Sequence, residues 1–201
     1  MKILENRAGV DIRALNAAVE ALRDGKIIIY PTDTLYALGC DALNNRAIER
    51  LCRIKGINPD KNTLSIVCGN MSQAAEYARI DNFAFKLLKH YLPGPFTFIL
   101  PASTALPKIF KGRKTVGIRI PDAEIDTALA EELGNPIMTT SIPVTNDTAD
   151  PRSIAELYKN NSDIALCIDA GEAHDIPSTI VDITDSRDPQ IIRRGLGNFE
   201  D

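Results

Sequence analysis

The segment KIIIYPTDTLYALGC, residues 26–40, places polar side chains directly after an apolar run. Pro31 lacks a backbone donor and therefore ends the β-branched strand that precedes it. Thr32, Asp33 and Thr34 then offer two hydroxyls and a carboxylate within three residues. Because ligands of open α/β sheets gather outside the carboxyl ends of strands, this loop is a candidate binding site. An ordinary strand-to-turn junction, where Thr and Asp are common, is the alternative on the local pattern alone.

An arginine inside an apolar strand is the second chemically informative feature. Arg119 lies in KTVGIRIPD, residues 114–122, where its neighbours favour a buried strand. A guanidinium in such a setting needs an anionic partner or solvent, because an isolated buried charge is costly. The position of Arg119 therefore favours an anion-binding site.

Cysteine and histidine usage argues against several classes of enzyme. The four cysteines are well separated and have no paired metal-ligand spacing, so buried reduced thiols are the favoured interpretation. Only two histidines are present, His90 and His174, which disfavours a histidine-rich metal site and a Ser/His/Asp hydrolase. We therefore predict no metal ligands among the protein's side chains. The cysteines are Cys40, Cys52, Cys68 and Cys167.

Length and composition bound the class of protein. The 201 residues suit a single domain spanning 1–201, and 44% hydrophobic with 25% charged residues is typical of soluble globular proteins. No apolar stretch reaches the length that spans a bilayer, and charges interrupt the first fourteen residues where a secretory signal would be apolar. We therefore expect a cytoplasmic protein without a membrane partner. The net charge of −4 gives no generic attraction for nucleic acid.

Hydrophobic periodicity predicts strands interleaved with helices, although not in strict alternation. Such an order indicates an α/β single domain with a twisted mixed β-sheet flanked by helices. Asp11 is the expected N-cap of the first helix, and Gly25 its stop. The predicted strands are 26–30, 63–68, 96–100, 115–120, 136–140, 164–168, 179–184 and 190–193. The other predicted helices are 45–55, a short one from Ser72, one from Phe83 to before Pro93, 124–133 and 151–159.

Seven segments in a fixed order extend this pattern over roughly residues 11–197. They are YPTDTLYALGC, TLSIVCGN, LPGPFTFILPA, KTVGIRIPD, NPIMTTS, PSTIVDIT and IIRRG. This series resembles the YrdC/YciO family of threonylcarbamoyl-AMP synthases, and the short YciO-like branch most closely. The resemblance implies an α/β domain whose sheet curves around a deep concave site. The features of the YciO-like branch are residues 36–40, 49–54 and 193–197.

The resemblance implies a condensation of L-threonine, bicarbonate and ATP, with Mg²⁺, into threonylcarbamoyl-adenylate and pyrophosphate. The product would supply the threonylcarbamoyl group for adenosine modification in tRNA, and tRNA or double-stranded RNA is an implied partner. No side-chain nucleophile is needed, because the carboxylated amine of threonine can itself attack the α-phosphate. The protein must instead position the reactants and neutralise the charge that spreads over the phosphates.

Individual residues carry the implied roles. Lys55 and Arg119 correspond to catalytic positions, and the planar fork of Arg119 would hold the threonine carboxylate in a bidentate pair. Lys55 has an alternative role as a cation at a helix C-terminus. The substrate-binding positions are Thr32, Thr34, Arg119 and Ser178. The positions for the nucleotide are Lys61, Thr115, Ser141 and Arg193.

Two positions depart from the pattern of the synthases. Ile57 stands where a Lys-x-Arg element would place its arginine, and Pro143 stands where a Ser-x-Asn element would place its asparagine. Each lost charge-assisted contact is worth about 1.5–3 kcal/mol. Each could slow the reaction roughly ten- to a hundredfold. A non-catalytic or regulatory protein that binds a nucleotide or double-stranded RNA is therefore the principal alternative, and a hydrolase the third.

Overall fold

The computed structural model describes residues 1–7, 9–110, 114–145, 148 and 150–200, within which ten strands and six α-helices form one α/β domain. The strands are β1 (Lys2–Glu5), β2 (Ile27–Tyr30), β3 (Ala37–Asp41), β4 (Ser65–Val67), β5 (Phe96–Pro101), β6 (Thr115–Arg119), β7 (Ile137–Ser141), β8 (Ile164–Asp169), β9 (Thr179–Asp182) and β10 (Gln190–Arg193). The helices are α1 (Ile12–Arg23), α2 (Asn45–Lys55), α3 (Met71–Tyr77), α4 (Asn82–Tyr91), α5 (Glu124–Leu133) and α6 (Pro151–Tyr158).

The strands form one mixed sheet, which confirms the predicted fold class. Their order is β1-β8-β2-β3-β7-β4-β6-β5-β9-β10. β8 pairs in parallel with β1 and β2, as β4 does with β6 and β5 with β9, while the other neighbours are antiparallel. Segments far apart in the sequence therefore lie side by side in the centre of the sheet.

Alternate residues of the strands feed two separate hydrophobic clusters. In β2, Ile27 and Ile29 belong to one cluster, whereas Ile28 and Tyr30 belong to the other, because successive side chains point to opposite faces. Residues of α2, α3, α4 and α6 pack into the first cluster, and residues of α1 and α5 into the second. The predicted N-cap of α1 is confirmed, because the Asp11 carboxylate accepts hydrogen bonds from the backbone N–H groups of Arg13 and Ala14.

Two strands differ from the sequence-based expectation. Residues 37–40 are not among the predicted strands, but they lie in β3, which returns antiparallel to β2 with Ala37 opposite Tyr30. Gly39 lies beneath the Tyr30 ring, and a Cβ there would come within 2.6 Å of Tyr30 Cε1. β1 was not predicted because it is an edge strand with mostly exposed side chains, and an exposed edge strand lacks apolar alternation.

The cysteines behave as buried structural thiols. Cys40, Cys52, Cys68 and Cys167 are all free and buried, as the sequence predicted, and burial raises the pKa of Cys68 to about 12. Within the described ranges, no group of three acidic, cysteine or histidine side chains is arranged to hold a metal ion. Across the same residues, every helix is too short or too polar to cross a bilayer.

Candidate ligand-binding site

A cavity of about 510 Å³ opens above the central strands, on the face to which α1 and α5 pack. Its floor carries hydroxyls from neighbouring strands, because Ser65 pairs with both Gly117 and Thr139 in register. A Cβ at Gly117 would lie 2.5 Å from Ser65 Oγ and 3.0 Å from Thr97 Cγ2. Glycine at this position therefore lets the side chains of Ser65 and Thr97 pack over β6, where both line the cavity.

A buried ion pair forms one side of the site. Arg119 Nη2 lies 2.7 Å from Asp33 Oδ1, and the two side chains are only 3% and 6% exposed. The same nitrogen donates to Thr34 Oγ1 at 3.2 Å, while Arg119 Nε has no hydrogen-bond partner. Asp33 Oδ2 accepts from the backbone N–H of Asp122 at 3.1 Å. We call Asp33, Thr34 and Arg119 the anchor cluster.

The loop after β2 holds Thr34 at Arg119 through its own hydroxyls. Thr32 Oγ1 accepts from the Thr34 backbone N–H at 3.1 Å and donates to the Leu35 carbonyl at 2.7 Å. Its distance to Thr34 Oγ1 is 3.0 Å. Both threonines are buried, and Arg119 rather than either threonine is part of the cavity lining. Thr32 and Thr34 therefore support Arg119 from behind.

Ser178 and Arg193 lie together at the other side of the cavity. Ser178 is buried, and its Oγ lies 2.9 Å from Thr97 Oγ1. Arg193 donates from Nη2 to the Ser178 carbonyl at 2.8 Å and to Ser178 Oγ at 3.3 Å. Burial, and then repulsion from Arg119, lower the pKa of Arg193. Two guanidinium groups, from Arg119 and Arg193, thus contribute to the cavity lining.

Of the remaining predicted residues, one lines the cavity and three do not. Ser141 lines the cavity at the end of β7, whereas Thr115 Oγ1 lies 3.5 Å from the hydroxyl of Thr63, a lining residue. Lys55 is half-buried at the end of α2, and burial lowers its pKa. Lys61 is exposed on the following loop. The cavity lining, as far as the structure describes it, contains neither lysine nor Thr115.

Both departures from the synthase pattern face the same cavity. Ile57 lines it and also packs against the larger hydrophobic cluster, and Pro143 and Val144 line it from the segment after β7. We call these three the apolar lining residues. Side chains without charge or hydrogen-bonding groups therefore stand where the resemblance would place a guanidinium and an amide.

Several lining residues were not identified from the sequence. Thr97, Thr139, Asn62, Ser65 and Asp175 all line the cavity. Hydroxyl residues within strands look like ordinary strand residues, and only the register of neighbouring strands brings them together. The segment NPIMTTS did contain Thr139, but only its last residue was selected. Asp175 adds a carboxylate to the lining.

A second carboxyl group lies in the electrostatic field of Arg119. Asp126, in the first turn of α5, is completely buried, and neither of its oxygens has a hydrogen-bond partner. Burial raises the pKa of Asp126 well above its ordinary value, and the positive charge of Arg119 partly opposes that rise. Arg119 therefore interacts with both Asp33 and Asp126.

Comparison with known proteins identifies relatives of the whole chain. Residues 20–195 match the sequence model of the Sua5/YciO/YrdC family, described as "Telomere recombination". The chain is 38% identical to the uncharacterised protein YciO of Escherichia coli (strain K12), over 94% of this chain and 92% of YciO. The crystal structure of YciO aligns with a TM-score of 0.86, covering 98% of this chain and 96% of YciO.

Relatives named as threonylcarbamoyl-AMP synthases are also similar. The one from Vibrio vulnificus (strain YJ016) is 31% identical, over 90% of this chain and 98% of its own. The crystal structure of Pyrococcus abyssi Sua5 complexed with L-threonine aligns with a TM-score of 0.86 at 31% identity. That alignment covers 97% of this chain and 58% of Sua5. The likeness to both named synthases therefore extends over at least nine-tenths of this chain.

Proposed function

This chain belongs to the Sua5/YciO/YrdC family, and we propose that it forms threonylcarbamoyl-AMP from L-threonine, bicarbonate and ATP, at a reduced rate. The product would serve tRNA threonylcarbamoyladenosine modification. The observation that carries the proposal is the cavity-lining Arg119, a buried guanidinium held by Asp33 and Thr34 beside a floor of hydroxyls. The Pyrococcus abyssi relative with L-threonine bound supports the same choice of amino acid.

The anchor cluster suits the carboxylate of an amino acid. Arg119 lines the cavity, and a guanidinium bonds a carboxylate more strongly than a neutral donor does. The hydroxyls of Thr139 and Ser178, which also line the cavity, can bond the polar groups of the bound amino acid. In this arrangement the amine of threonine is left free to attack the carbon of bicarbonate, so that the N–C bond of the carbamate forms as the C–OH bond breaks and water leaves.

The reaction then needs orientation and charge neutralisation rather than a nucleophilic side chain. A carbamate oxygen of carboxylated threonine forms a bond to the α-phosphorus of ATP, and the bond to pyrophosphate breaks. Arg193 supplies positive charge at the cavity for the phosphates. Mg²⁺ on ATP usually keeps phosphate and water ligands with one or two carboxylates. Although the sequence predicted no metal ligand, Asp175 offers a carboxylate in the lining.

The apolar lining residues explain why we propose a reduced rate. Ile57 and Pro143 cannot donate to a phosphate, and each missing charge-assisted contact is worth about 1.5–3 kcal/mol. Lys55 and Lys61 do not compensate as cavity-lining cations among the described residues. A protein that binds a nucleotide or double-stranded RNA without turnover is the second candidate, favoured by this same loss. The net charge of −4 adds no support for binding RNA.

Pyrophosphate release from Mg-ATP, with threonine and bicarbonate omitted in turn, tests the proposal. We expect slow release that requires both co-substrates, with threonylcarbamoyl-AMP detected by mass spectrometry. Release that continues without threonine would indicate a hydrolase instead. Thermal stabilisation by Mg-ATP with no release under any condition would support the binding protein.

A further inference from the structure

The guanidinium of Arg119 is already bound to a carboxylate of the protein itself. Asp33 Oδ1 takes the Nη2 hydrogen bond at 2.7 Å, and both side chains are almost completely removed from water. Asp33 Oδ2 is engaged by the Asp122 backbone N–H, so the carboxylate is fixed from two sides. Arg119 therefore lines the cavity as the cationic half of a nearly neutral ion pair, whose carboxylate, Asp33, is not itself among the lining residues.

Neutralisation changes which ligands can bind at Arg119. An incoming anion is attracted by the guanidinium but repelled by Asp33, and these two effects largely cancel at similar distances. A small anion such as inorganic phosphate therefore gains little binding free energy at Arg119. A ligand gains more when it adds hydrogen bonds to the hydroxyls of Thr97, Thr139 and Ser178, which surround the same cavity.

We propose that Asp33 is an internal counter-ion of Arg119, a positioning residue that makes the site select hydroxyl- or amino-bearing carboxylates over simple anions. This inference deepens the proposed function, since a ligand carboxylate at Arg119 is part of it. Thr34 shares the positioning, because its hydroxyl accepts from the same nitrogen at 3.2 Å. Asp33 nevertheless supplies the negative charge, which a hydroxyl cannot.

The charge-removing variant Asp33→Asn gives the direct test. Removing one partner of a buried ion pair leaves an uncompensated charge and lowers stability. An external anion should then replace the lost carboxylate, so phosphate or acetate should raise the melting temperature of the variant in a saturable manner. We expect phosphate affinity at least about tenfold tighter than in the wild-type protein, because one repulsive charge has gone. Sodium chloride at equal ionic strength controls for general salt effects.

Asp169→Asn is the matched control. Asp169 is also a buried aspartate in an ion pair, 3.0 Å from Arg7 and only 1% exposed, but it does not line this cavity. We expect this variant to lose stability without a saturable gain from phosphate or acetate. Equal stabilisation of both variants by these anions, or of neither, would overturn the proposal and leave Asp33 a purely structural residue.

A second variant and a wild-type measurement cover the case in which Asp33→Asn does not fold. Asp33→Ser keeps an acceptor for Arg119 and leaves room for an anion, so it should show the same anion dependence. In the wild-type protein, phosphate should not displace threonine measurably in competition calorimetry. Strong displacement would refute the inference without any variant. None of these readouts requires turnover of ATP, so their failure is distinguishable from absence of threonylcarbamoyl-AMP synthesis.

Discussion

The anchor cluster and the apolar lining residues meet at one cavity, which Arg119 of the anchor cluster lines, but they differ in chemistry. The anchor cluster combines an ion pair with a hydroxyl, all on buried side chains, and it accepts a hydrogen bond from the backbone N–H of Asp122. The apolar lining residues, which are Ile57, Pro143 and Val144, contribute no charged or hydrogen-bonding side-chain group. Under the proposed function, this difference assigns recognition of an amino acid and acceleration of phosphate chemistry to separate residues. A protein that loses the acceleration of phosphate chemistry can therefore keep the recognition of an amino acid.

Arg119→Ala should produce the largest effect, because the anchor cluster depends on this side chain. The substitution leaves Asp33 buried without its partner, which should lower the free energy of unfolding by about 3–5 kcal/mol. Threonine affinity should fall far more than Mg-ATP affinity. Urea denaturation measures the first effect, and calorimetry at a temperature where the variant is folded measures the second.

Arg194→Ala is the control for Arg119→Ala, since Arg194 is exposed and does not line the cavity. It should change neither stability nor threonine affinity appreciably. If Arg119→Ala lowered the affinities for threonine and Mg-ATP equally, the separation between the two sets of residues would be wrong.

Ile57→Arg tests the apolar lining residues. An arginine there would place a donor fork beside the phosphates and stabilise charge that grows as pyrophosphate leaves. We expect threonine- and bicarbonate-dependent pyrophosphate release to rise about ten- to a hundredfold, with a smaller gain in ATP affinity. Ile57→Leu serves as the uncharged control. An unchanged rate in a folded variant that binds both substrates would contradict this prediction, as would a wild-type enzyme that is already fast.

Asp126→Asn tests the electrostatic surroundings of Arg119 through pH. Because burial raises the pKa of Asp126 above its ordinary 3.8, the folded protein binds a proton that the unfolded chain releases. The contribution of Asp126 to wild-type stability should therefore fall as pH rises from about 3.8 towards the raised pKa. Asn cannot ionise, so the stability of the variant relative to wild type should rise over that pH range.

Differential unfolding of Asp126→Asn and wild type, measured across pH, checks this effect because other titrating groups cancel. Glu124→Gln removes an exposed carboxylate from the same helical turn and should show no comparable trend. A difference that stays constant from pH 4 to pH 8 would mean that Asp126 is not protonated preferentially in the folded state.

Ser178→Ala should produce the smallest of these effects. The variant loses the hydroxyl that bonds Thr97 and Arg193, but the Arg193 bonds to the Ser178 carbonyl remain. We expect a loss of about 0.5–1.5 kcal/mol in threonine binding, measured by calorimetry. Thr184→Ala, at an exposed position after β9, is the control. A loss as large as that of Arg119→Ala would make Ser178, not Arg119, the principal anchor.

The sequence by itself determined the fold class and the identity of several polar cavity residues. Apolar runs and caps predicted most strands and helices, because local periodicity reflects which face is buried. Arg119 was identifiable as a site residue since a charge in an apolar strand requires a partner. The apolar character of Ile57 and Pro143 was equally visible, and the structure places both in the cavity.

Only the tertiary structure decided which residues meet. Asp33 and Arg119 are 86 positions apart and Thr97 and Ser178 are 81 apart, yet each pair is within hydrogen-bond distance. Strand order and register make these contacts, and local sequence patterns do not encode either. The same geometry leaves Lys55 out of the described lining and brings Thr139 into it. Charge in this cavity is therefore set by long-range pairing in the sheet rather than by the number of cations in the chain.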